Sequence, residues 1–585
     1  MWSSDRLIRA LRVEKQNMVT STLKQWAKQS LALKRVYLWY QSRRRDYLPD
    51  WLEIISRDRV YWDEARREAE NGPPVLIATS TGAHRATITI EALLAAALTL
   101  RGANVHLLLC DEVLPGCLLC STEGYPNHGQ FARHGPSKDL CPNCFKPADA
   151  MYRSLGLPVH RYSEFLSSED LLNASAVSSE LPVADIAGYS LDGIKVGEHA
   201  LAGALRFYAR GTLAGEPYAE PVLRRYLKAA LLTAYVTRNI LKTRNFQRAV
   251  FHHGIYVPQG VIGEVCRRNN ISVVNWNPAY RKQCFIFSHG DTYHHTLMTE
   301  PVSKWENMPW NTRMETELME YLKSRWRGTN DWIWFQETPD EDLKSIARQL
   351  GVDFSRPCIG LLTNVIWDAQ LHYPANAFSS MLEWLFRTIE YFSGRPDLQL
   401  LIRVHPAEVI GALPSRQRVV DEIKKAFPRL PENIFIIPPE SQISTYAAMM
   451  PCNAVIIYGT KTGVELTSVG IRVIVAGEAW VRNKGITMDA SSAADYFKLL
   501  DRLPLPPSRD EAARLRAQKY AYHFFFRRMI PVEFMEPAKG DVPYRMRLAS
   551  VRDLCPGTSR GLDTICDGIL QGKDFIFPAE DDMTS

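Results

Sequence analysis

Five short apolar runs, each followed by an amphipathic stretch, constrain the fold of residues 355–508 more than any other feature. The runs are rich in Val, Ile and Leu and span 358–363, 398–404, 433–437, 454–458 and 473–476. Helical patterns separate them, at 381–392, 416–427, 444–450 and from 462 onward. Strands that alternate with helices form parallel sheets with helices packed on their faces. The sequence therefore predicts a doubly wound, Rossmann-like domain over this segment.

A looser α/β block covers residues 71–335. Its expected strands are 75–80, 105–110, 249–253 and 271–276, and its expected helices are 88–100, 222–243 and 260–270. Two domains of this kind place a ligand cleft between the carboxyl ends of their strands. We therefore expect an α/β fold with two Rossmann-like domains facing a cleft.

The segments that flank these blocks are expected to be helical. Thr338, Pro339 and Glu341 have the spacing of a helix start, and Gly351 ends that helix, which connects the two blocks. A long helix is expected at 511–528, within a C-terminal segment that spans 509–585.

Residues 1–70 are expected to form a basic amphipathic helical segment. Residues 1–50 contain eleven Lys and Arg against four Asp and Glu, so the formal net charge of +6 leaves −1 for the rest of the chain. A basic helix that carries Trp26 and Trp39 is typical of weak contact with an anionic membrane, although a helix packed on the body has the same pattern. The nearly neutral remainder gives no indication of nucleic-acid binding.

Hydropathy and the N-terminal sequence favour a cytoplasmic protein. No apolar run approaches the roughly 18 residues that cross a bilayer, and no secretory signal is visible. We expect peripheral contact with the inner face of the plasma membrane through residues 1–50. The eleven cysteines do not predict disulfides, because the cytoplasm keeps thiols reduced.

Four of the cysteines form two Cys-x-x-Cys pairs, namely Cys117, Cys120, Cys141 and Cys144. Twenty residues separate the pairs, within a Cys-rich loop at 110–147. This spacing is typical of a tetrathiolate zinc site, and four thiolates leave no open position, so the expected zinc is structural. His128 and His134 are alternative ligands, and reduced thiols without metal are the alternative to a zinc site.

Three polar motifs follow expected strands of the second block. The first is Arg403-Val404-His405-Pro406. The second is Ser441–Thr445, in which Ser444 and Thr445 are the candidate ligand-binding residues. The third is Tyr458–Glu465, which includes Thr460, Lys461, Thr462 and Gly463. Imidazole, hydroxyl, backbone amide and ammonium groups hold phosphate oxygens, and a Glu in a first helical turn suits ribose hydroxyls. Each motif alone is also typical of an ordinary turn or helix cap. Together, at successive strand ends of one sheet, they predict a single phosphate-binding site.

The order of these motifs resembles that of bacterial capsule and surface-polysaccharide biosynthesis proteins. In that group an Arg-x-His-Pro motif after a strand is followed further along by Thr/Ser-x-Thr-Gly-x-Glu, as Arg403–Pro406 is followed here by Thr460–Glu465. The group includes Kdo transferases and is similar in outline to sialyltransferases and CDP-glycerol glycerophosphotransferases. The resemblance covers Ile359–Ile530 well and the first block loosely.

The resemblance implies a GT-B-type glycosyltransferase. Such an enzyme would move a sugar from a nucleotide-sugar donor, with CMP-linked donors favoured, to a growing capsular or surface glycan or a lipid-linked glycan. His405, Lys461, Thr462 and Gly463 would contact the donor's phosphates and Glu465 its nucleoside. No catalytic metal or organic cofactor is expected, because amides and cations stabilise the leaving nucleotide. The alternatives are a CDP-polyol phosphotransferase, a nucleotide-sugar epimerase, and, in another class, a non-catalytic polysaccharide-assembly protein.

A histidine is expected to activate the acceptor hydroxyl. His253, followed by Gly254 at the end of an expected strand, resembles the His-Gly element of glycerophosphotransferases, whose His is the base toward the acceptor. A neutral imidazole suits this task because its pKa lies near working pH. His84 is the competing candidate, and a structural His bonded to a loop carbonyl is the alternative. The segment His289-Gly290-Asp291 is a further candidate for the same cleft.

Overall fold

The structure is a computed structural model of the chain. It describes residues 48–137, 139–326, 331–332, 339–368, 371, 375–506, 510–538 and 542–583. Residues 1–47 of the expected membrane-contact segment, including Trp26 and Trp39, lie outside the described residues, as does Thr338. Among the described residues, no helix is both long enough and apolar enough to span a membrane.

The described chain is a mixed α/β fold built on parallel sheets. Its strands are β1 (Pro74–Ser80), β2 (Asn104–Leu109), β3 (Val159–Arg161), β4 (Arg248–His252), β5 (Ser272–Pro278), β6 (Cys284–His289), β7 (Cys358–Leu362), β8 (Gln399–Arg403), β9 (Ile434–Ile437), β10 (Ala454–Ile457), β11 (Val473–Val475), β12 (Met488–Asp489), β13 (Ile530–Pro531), β14 (Met535–Pro537) and β15 (Tyr544–Met546).

These strands form two large sheets and a hairpin. The seven-stranded sheet has the order β13-β6-β5-β4-β1-β2-β3, and its five strands from β5 to β3 are parallel. The six-stranded sheet, β12-β11-β10-β7-β8-β9, is parallel throughout. β14 and β15 pair with each other. Both sheets contain the strand runs that the apolar pattern predicts.

Helices connect the strands and cover the sheets. They are α1 (Trp51–Ser56), α2 (Arg59–Ala69), α3 (Arg85–Thr99), α4 (His128–His134), α5 (Leu140–Ser154), α6 (Ser168–Glu180), α7 (Val183–Ile186), α8 (Val196–Tyr208), α9 (Ala219–Thr243), α10 (Gln259–Arg268), α11 (Tyr293–Thr299), α12 (Thr312–Trp326), α13 (Leu343–Leu350), α14 (Met381–Ser393), α15 (Ala407–Ile410), α16 (Val419–Ala426), α17 (Thr445–Met449), α18 (Thr462–Ser468), α19 (Ala493–Leu500), α20 (Glu511–Tyr522) and α21 (Arg560–Gln571).

The connecting helix begins later than the sequence predicts. Asp342 caps α13 by accepting from the amide of Lys344, so the Thr-Pro-x-Glu spacing before it is not the helix start. Gly351 ends the helix with a φ of +74°, a left-handed conformation that glycine adopts without a Cβ clash. This end agrees with the prediction.

The C-terminal segment returns to the seven-stranded sheet instead of forming a separate tail. β13 pairs antiparallel with β6, at Ile530 with Phe285. α21 packs beside β13, where an added Cβ on Gly561 would lie 1.8 Å from the carbonyl oxygen of Pro531. One apolar cluster joins residues near the start of the described chain, such as Trp51, with C-terminal residues such as Ile565.

The segment expected to be a Cys-rich loop is partly helical. α4 lies within it, and Cys141 and Cys144 belong to the first turns of α5. Leu118 N donates to the carbonyl of Val257, and buried Tyr226 on α9 donates to the carbonyl of Cys117, so protein contacts order this segment.

Candidate functional site

A cavity of about 1140 Å³ lies between the carboxyl ends of strands from both large sheets. His84, His252 and His253 line it from the seven-stranded sheet, and Arg403 and His405 line it from the six-stranded sheet. Small-molecule sites in proteins commonly enclose roughly 300–1,000 Å³. The volume is therefore large enough for a nucleotide-sized ligand together with part of a second substrate.

Strand register explains why three separate sequence motifs meet in this cavity. Leu362, the last residue of β7, is paired with Arg403 on one side and with Ile457 on the other. Arg403 is paired in turn with Ile437 at the end of β9. The segments that follow β7, β8, β9 and β10 therefore start at one edge of the sheet, which brings the predicted motifs together.

His405 is held in a defined tautomer at this edge. Its backbone amide donates to Thr363 Oγ1 over 3.1 Å, and its Nδ1 accepts from the amide of Ala407 over 3.0 Å. Burial and the nearby Lys461 and Arg403 lower the pKa of His405 to about 4, so the ring is neutral at pH 7. Because Nδ1 is an acceptor, the neutral ring carries its proton on Nε2 and has a donor for a ligand's oxygen.

Arg403 is a buried cation that organises the neighbouring loop. Its guanidinium donates to the carbonyls of Pro438 (2.6 Å) and Ser441 (3.3 Å) and to Thr445 Oγ1 (3.2 Å). Burial lowers its pKa to about 10, which leaves the group charged at neutral pH. Ser444 caps α17 through the amide of Ala447 and, like Thr445, lines the cavity.

The motif after β10 divides between the cavity and the core. Thr460, Lys461 and Thr462 line the cavity, whereas Gly463 is not among its lining residues. A Cβ on Gly463 would lie 2.6 Å from Ile457 Cδ1, so this glycine lets α18 pack closely on β10. Gly463 thus has a packing role in this structure, and its phosphate contact stays a prediction.

Glu465 is engaged by protein groups and does not line the cavity. It is buried, its carboxylate pairs with Arg325 (3.1 Å) and Lys461 (2.9 Å), and Tyr446 Oη donates to it. Burial alone would raise its pKa, but Arg325 and Lys461 lower that pKa to about 2. In this structure the carboxylate fixes the two cations, and the contact of Glu465 with a nucleoside stays a prediction.

The seven-stranded sheet places His84 and His253 at the same end of the cavity, in different roles. His84 caps α3, with its Nδ1 accepting from the amide of Thr87 over 3.3 Å and lying 2.6 Å from Thr87 Oγ1. His253 has a φ of +68°, an uncommon conformation for a residue with a Cβ, and its Nδ1 has no hydrogen-bond partner among the described residues. Strained backbone at a cavity wall points to a functional constraint at His253.

These histidines are neutral at pH 7. Burial, with the Arg206 cation nearby, lowers the pKa of His84 to about 4. Burial also lowers the pKa of His253 to about 4, partly offset by Asp368. His252, whose ring lies 5.5 Å from that of His253, also has its pKa lowered by burial. A neutral imidazole can accept a proton, so the cluster can act as a base.

Sequence reasoning missed several residues that line the cavity, and it misplaced one segment. His289 lies outside the cavity, stacked on Phe575 at 4.3 Å and 2.8 Å from the carbonyl oxygen of Lys573. The additional lining residues include Arg206, Tyr256, His294 and Asp368. No strand-end motif marks them, because α8, α11 and two irregular segments bring them to the cavity.

Four cysteines line a second, small cavity of about 20 Å³. Cys110 lines it together with Cys117, Cys141 and Cys144, whereas Cys120 does not. Burial raises the pKa of Cys144 to about 12, and the amide of Ala83 donates to its sulfur over 3.1 Å. In the part of the chain that the structure describes, no three His, Cys, Asp or Glu side chains are arranged to hold a metal. Neither His128 nor His134 lines this cavity, and zinc here stays a sequence-based prediction.

Comparison with known proteins gives structural matches only. No protein-family model and no curated protein matches the chain. A Kdo 2,4 transferase, KpsC of Thermosulfurimonas dismutans, is 11% identical, with a TM-score of 0.31 over 47% of this chain and 80% of its own. A UDP-GlcNAc 2-epimerase from Neisseria meningitidis is 11% identical, with a TM-score of 0.22 over 77% of this chain and 95% of its own.

Kdo transferases, which belong to the group that the sequence motifs resemble, are thus among the matched structures. The Kdo 2,7 transferase KpsC of Thermosulfurimonas dismutans is 12% identical, with a TM-score of 0.29 over 55% of this chain and 88% of its own. Overlaps of this quality carry no conclusion about activity, which has to come from the residues of the cavity.

Proposed function

We propose that the protein is a glycosyltransferase of the GT-B type that transfers a sugar from a nucleotide-sugar donor to a surface-glycan acceptor. The observation that carries the proposal is the cavity itself. Groups suited to phosphate follow three strands of the six-stranded sheet, β8, β9 and β10, and they line the cavity together with neutral histidines that follow strands of the seven-stranded sheet. A two-substrate transfer needs both kinds of group across one space.

The six-stranded side suits the donor's phosphates. His405 Nε2–H would donate to a phosphoryl oxygen, and the hydroxyls of Thr460 and Thr462 would add further donors. Arg403, charged but buried beneath the 441–445 loop, would stabilise the negative charge that develops on the leaving nucleotide. These groups are held by protein hydrogen bonds before any ligand arrives, so little reorganisation accompanies the transfer.

The seven-stranded side suits the acceptor. His253 would accept the proton of the attacking hydroxyl while the bond between the sugar and the donor phosphate breaks. His84 is less suited to this step, because its Nδ1 already caps α3. CMP-linked donors remain our preferred class, and a cytoplasmic setting with weak membrane contact through residues 1–50 is part of the proposal.

Turnover assays with three donors test this function. Purified protein would be given CMP-Kdo, UDP-GlcNAc or CDP-glycerol with a lipid-linked glycan acceptor, and released CMP, UDP or CDP would be measured. Acceptor-dependent release of CMP or UDP is expected from a glycosyltransferase. Release of CMP from CDP-glycerol would replace the proposal by polyol-phosphate transfer, and interconversion of UDP-GlcNAc without release would replace it by epimerisation. No turnover of any donor, despite nucleotide binding, would favour a non-catalytic assembly protein.

The His253→Ala variant belongs in the same assay. A positioned general base contributes about 10²–10⁴-fold to rate, so turnover should fall by that order while nucleotide affinity stays nearly unchanged. His84→Ala provides the comparison, because its loss should affect the start of α3 more than proton transfer. If His84→Ala abolishes turnover and His253→Ala does not, the roles of the two histidines are reversed.

A further inference from the structure

A tyrosine connects the two sides of the cavity at the histidine cluster. Tyr256 follows β4 of the seven-stranded sheet, and Asp368 follows β7 of the six-stranded sheet. The Tyr256 hydroxyl donates to Asp368 Oδ1 over 2.7 Å. The ring of the same tyrosine lies against the His253 ring, with centroids 5.1 Å apart and planes 32° apart. Tyr256 therefore holds a carboxylate from one sheet beside the imidazole that follows the other.

The other two carboxylates among the described lining residues lie in different surroundings. Asp331 is buried and forms an ion pair with Arg325, and it also accepts from Tyr321 Oη over 2.9 Å. Glu478 accepts from the amide of Ala375 and lies beside His295. Asp368 is the exposed one of the three carboxylates among the described lining residues, and it is the one bonded to the tyrosine that lies against the His253 ring.

The surroundings of His253 otherwise oppose its protonation. The ring is buried, and burial disfavours the charged form of an imidazole. His84, His252 and His294 lie nearby, and Arg206 adds a positive charge over the face of Tyr256 at 5.3 Å. Asp368 supplies the opposite charge within this set. It raises the pKa of His253, which favours the protonated form of the ring.

We propose that Asp368 is a positioning residue for His253, which stabilises the imidazolium formed when His253 takes the acceptor's proton. This inference rests on the glycosyltransferase proposal. In the step, the acceptor O–H bond breaks and its proton goes to His253, while the acceptor oxygen bonds to the sugar's anomeric carbon. The bond from that carbon to the donor phosphate breaks, and its electron pair leaves with the nucleotide. The imidazole thus follows a strand of the seven-stranded sheet, and its counter-charge follows a strand of the six-stranded sheet.

Double-mutant kinetics test the coupling. Asp368→Asn should lower kcat by about 10- to 100-fold, less than the loss from His253→Ala, and should not weaken nucleotide binding. Adding Asp368→Asn to His253→Ala should cost nothing further, because the carboxylate acts through the imidazole. Glu390→Gln, an exposed carboxylate on the outer side of α14, is the matched control and should leave kcat unchanged. If the loss of kcat in the double variant equals the product of the two single losses, the proposal is overturned.

The pH profile gives a readout that a merely structural role would not change. Removing the carboxylate should move the acidic limb of kcat to lower pH, because the His253 imidazolium loses its counter-charge. Tyr256→Phe keeps the ring on His253 but removes the hydrogen bond to Asp368, so it should give a smaller shift in the same direction. An acidic limb that stays in place in Asp368→Asn would contradict the proposal.

Histidine titration by NMR separates this inference from the proposed function. In protein labelled at histidine ¹³Cε1, the His253 resonance is assigned by its loss in His253→Gln. Its pKa should be lower in Asp368→Asn than in the wild type, whether or not a donor is turned over. Equal pKa values in the two proteins would overturn the inference even if the enzyme is a glycosyltransferase. A shifted pKa without any turnover would leave the pairing standing and reject the enzymatic role.

Discussion

At the scale of single residues, burial sets the charge state of groups near the histidine cluster, and Glu91 is an example. It lies on α3, fully buried, and accepts from Trp276 Nε1 over 3.2 Å, while its Oε2 has no hydrogen-bond partner among the described residues. Burial raises its pKa to about 7, although Thr79, Trp276 and the backbone amide of His252 each lower it. The same desolvation keeps the nearby histidines neutral, so this part of the protein contains titratable groups with little charge.

Replacing Glu91 by Gln should change how stability depends on pH. The carboxyl group has a higher pKa folded than unfolded, so its contribution to stability is present at low pH and lost as the pH rises from about 4.5 to about 7. Glu91→Gln should therefore gain stability relative to the wild type by roughly 2–3 kcal/mol between pH 5 and pH 8. Urea unfolding at both pH values measures this, with exposed Glu68→Gln as control. A pH-independent difference would show that Glu91 titrates normally.

At the scale of elements, the spacing of apolar residues predicts those strands and helices that are determined by the local sequence. The strands from β7 to β11 alternate with helices, and apolar runs locate them within one or two residues. Short strands escape this reasoning, because β12 and β13 have two residues each and exist only through partners distant in sequence. The strand-end motifs could be read from the sequence because they are local, and most of their residues line the cavity. Asp368 and Tyr256 could not be found in this way, because tertiary packing alone brings them together.

The return of the chain to β13 can be tested through one glycine. Gly561 in α21 packs against the Pro531 carbonyl, and an added Cβ would overlap that rigid backbone atom. Gly561→Ala should therefore lower the free energy of unfolding by about 1–3 kcal/mol or more. Gly394→Ala is the control, since the nearest atom to its added Cβ is 3.5 Å away and its change should stay within about 0.5 kcal/mol. Equal unfolding midpoints for the two variants would show that α21 does not pack closely on β13.

At the scale of the whole molecule, the proposed function depends on two sheets that bring different side chains to one cavity. The six-stranded sheet supplies Arg403 and His405, and the seven-stranded sheet supplies His84 and His253. The return of the C-terminal segment ties the end of the chain to the seven-stranded sheet after the six-stranded sheet is complete. We propose that this arrangement holds a donor and an acceptor on separate surfaces, which is the central claim for this protein.

Nucleotide binding by the wild type, His405→Ala and His289→Ala tests that claim most directly. Thermal unfolding would be followed with CMP, CDP and UDP, since a ligand at 100 times its Kd stabilises the folded state by about 2.7 kcal/mol. His289 lies outside the cavity and serves as the matched control. We expect one nucleotide to raise the Tm of the wild type and His289→Ala, and to raise that of His405→Ala much less. An equal rise in His405→Ala, or no rise with any of the three nucleotides, would contradict the account.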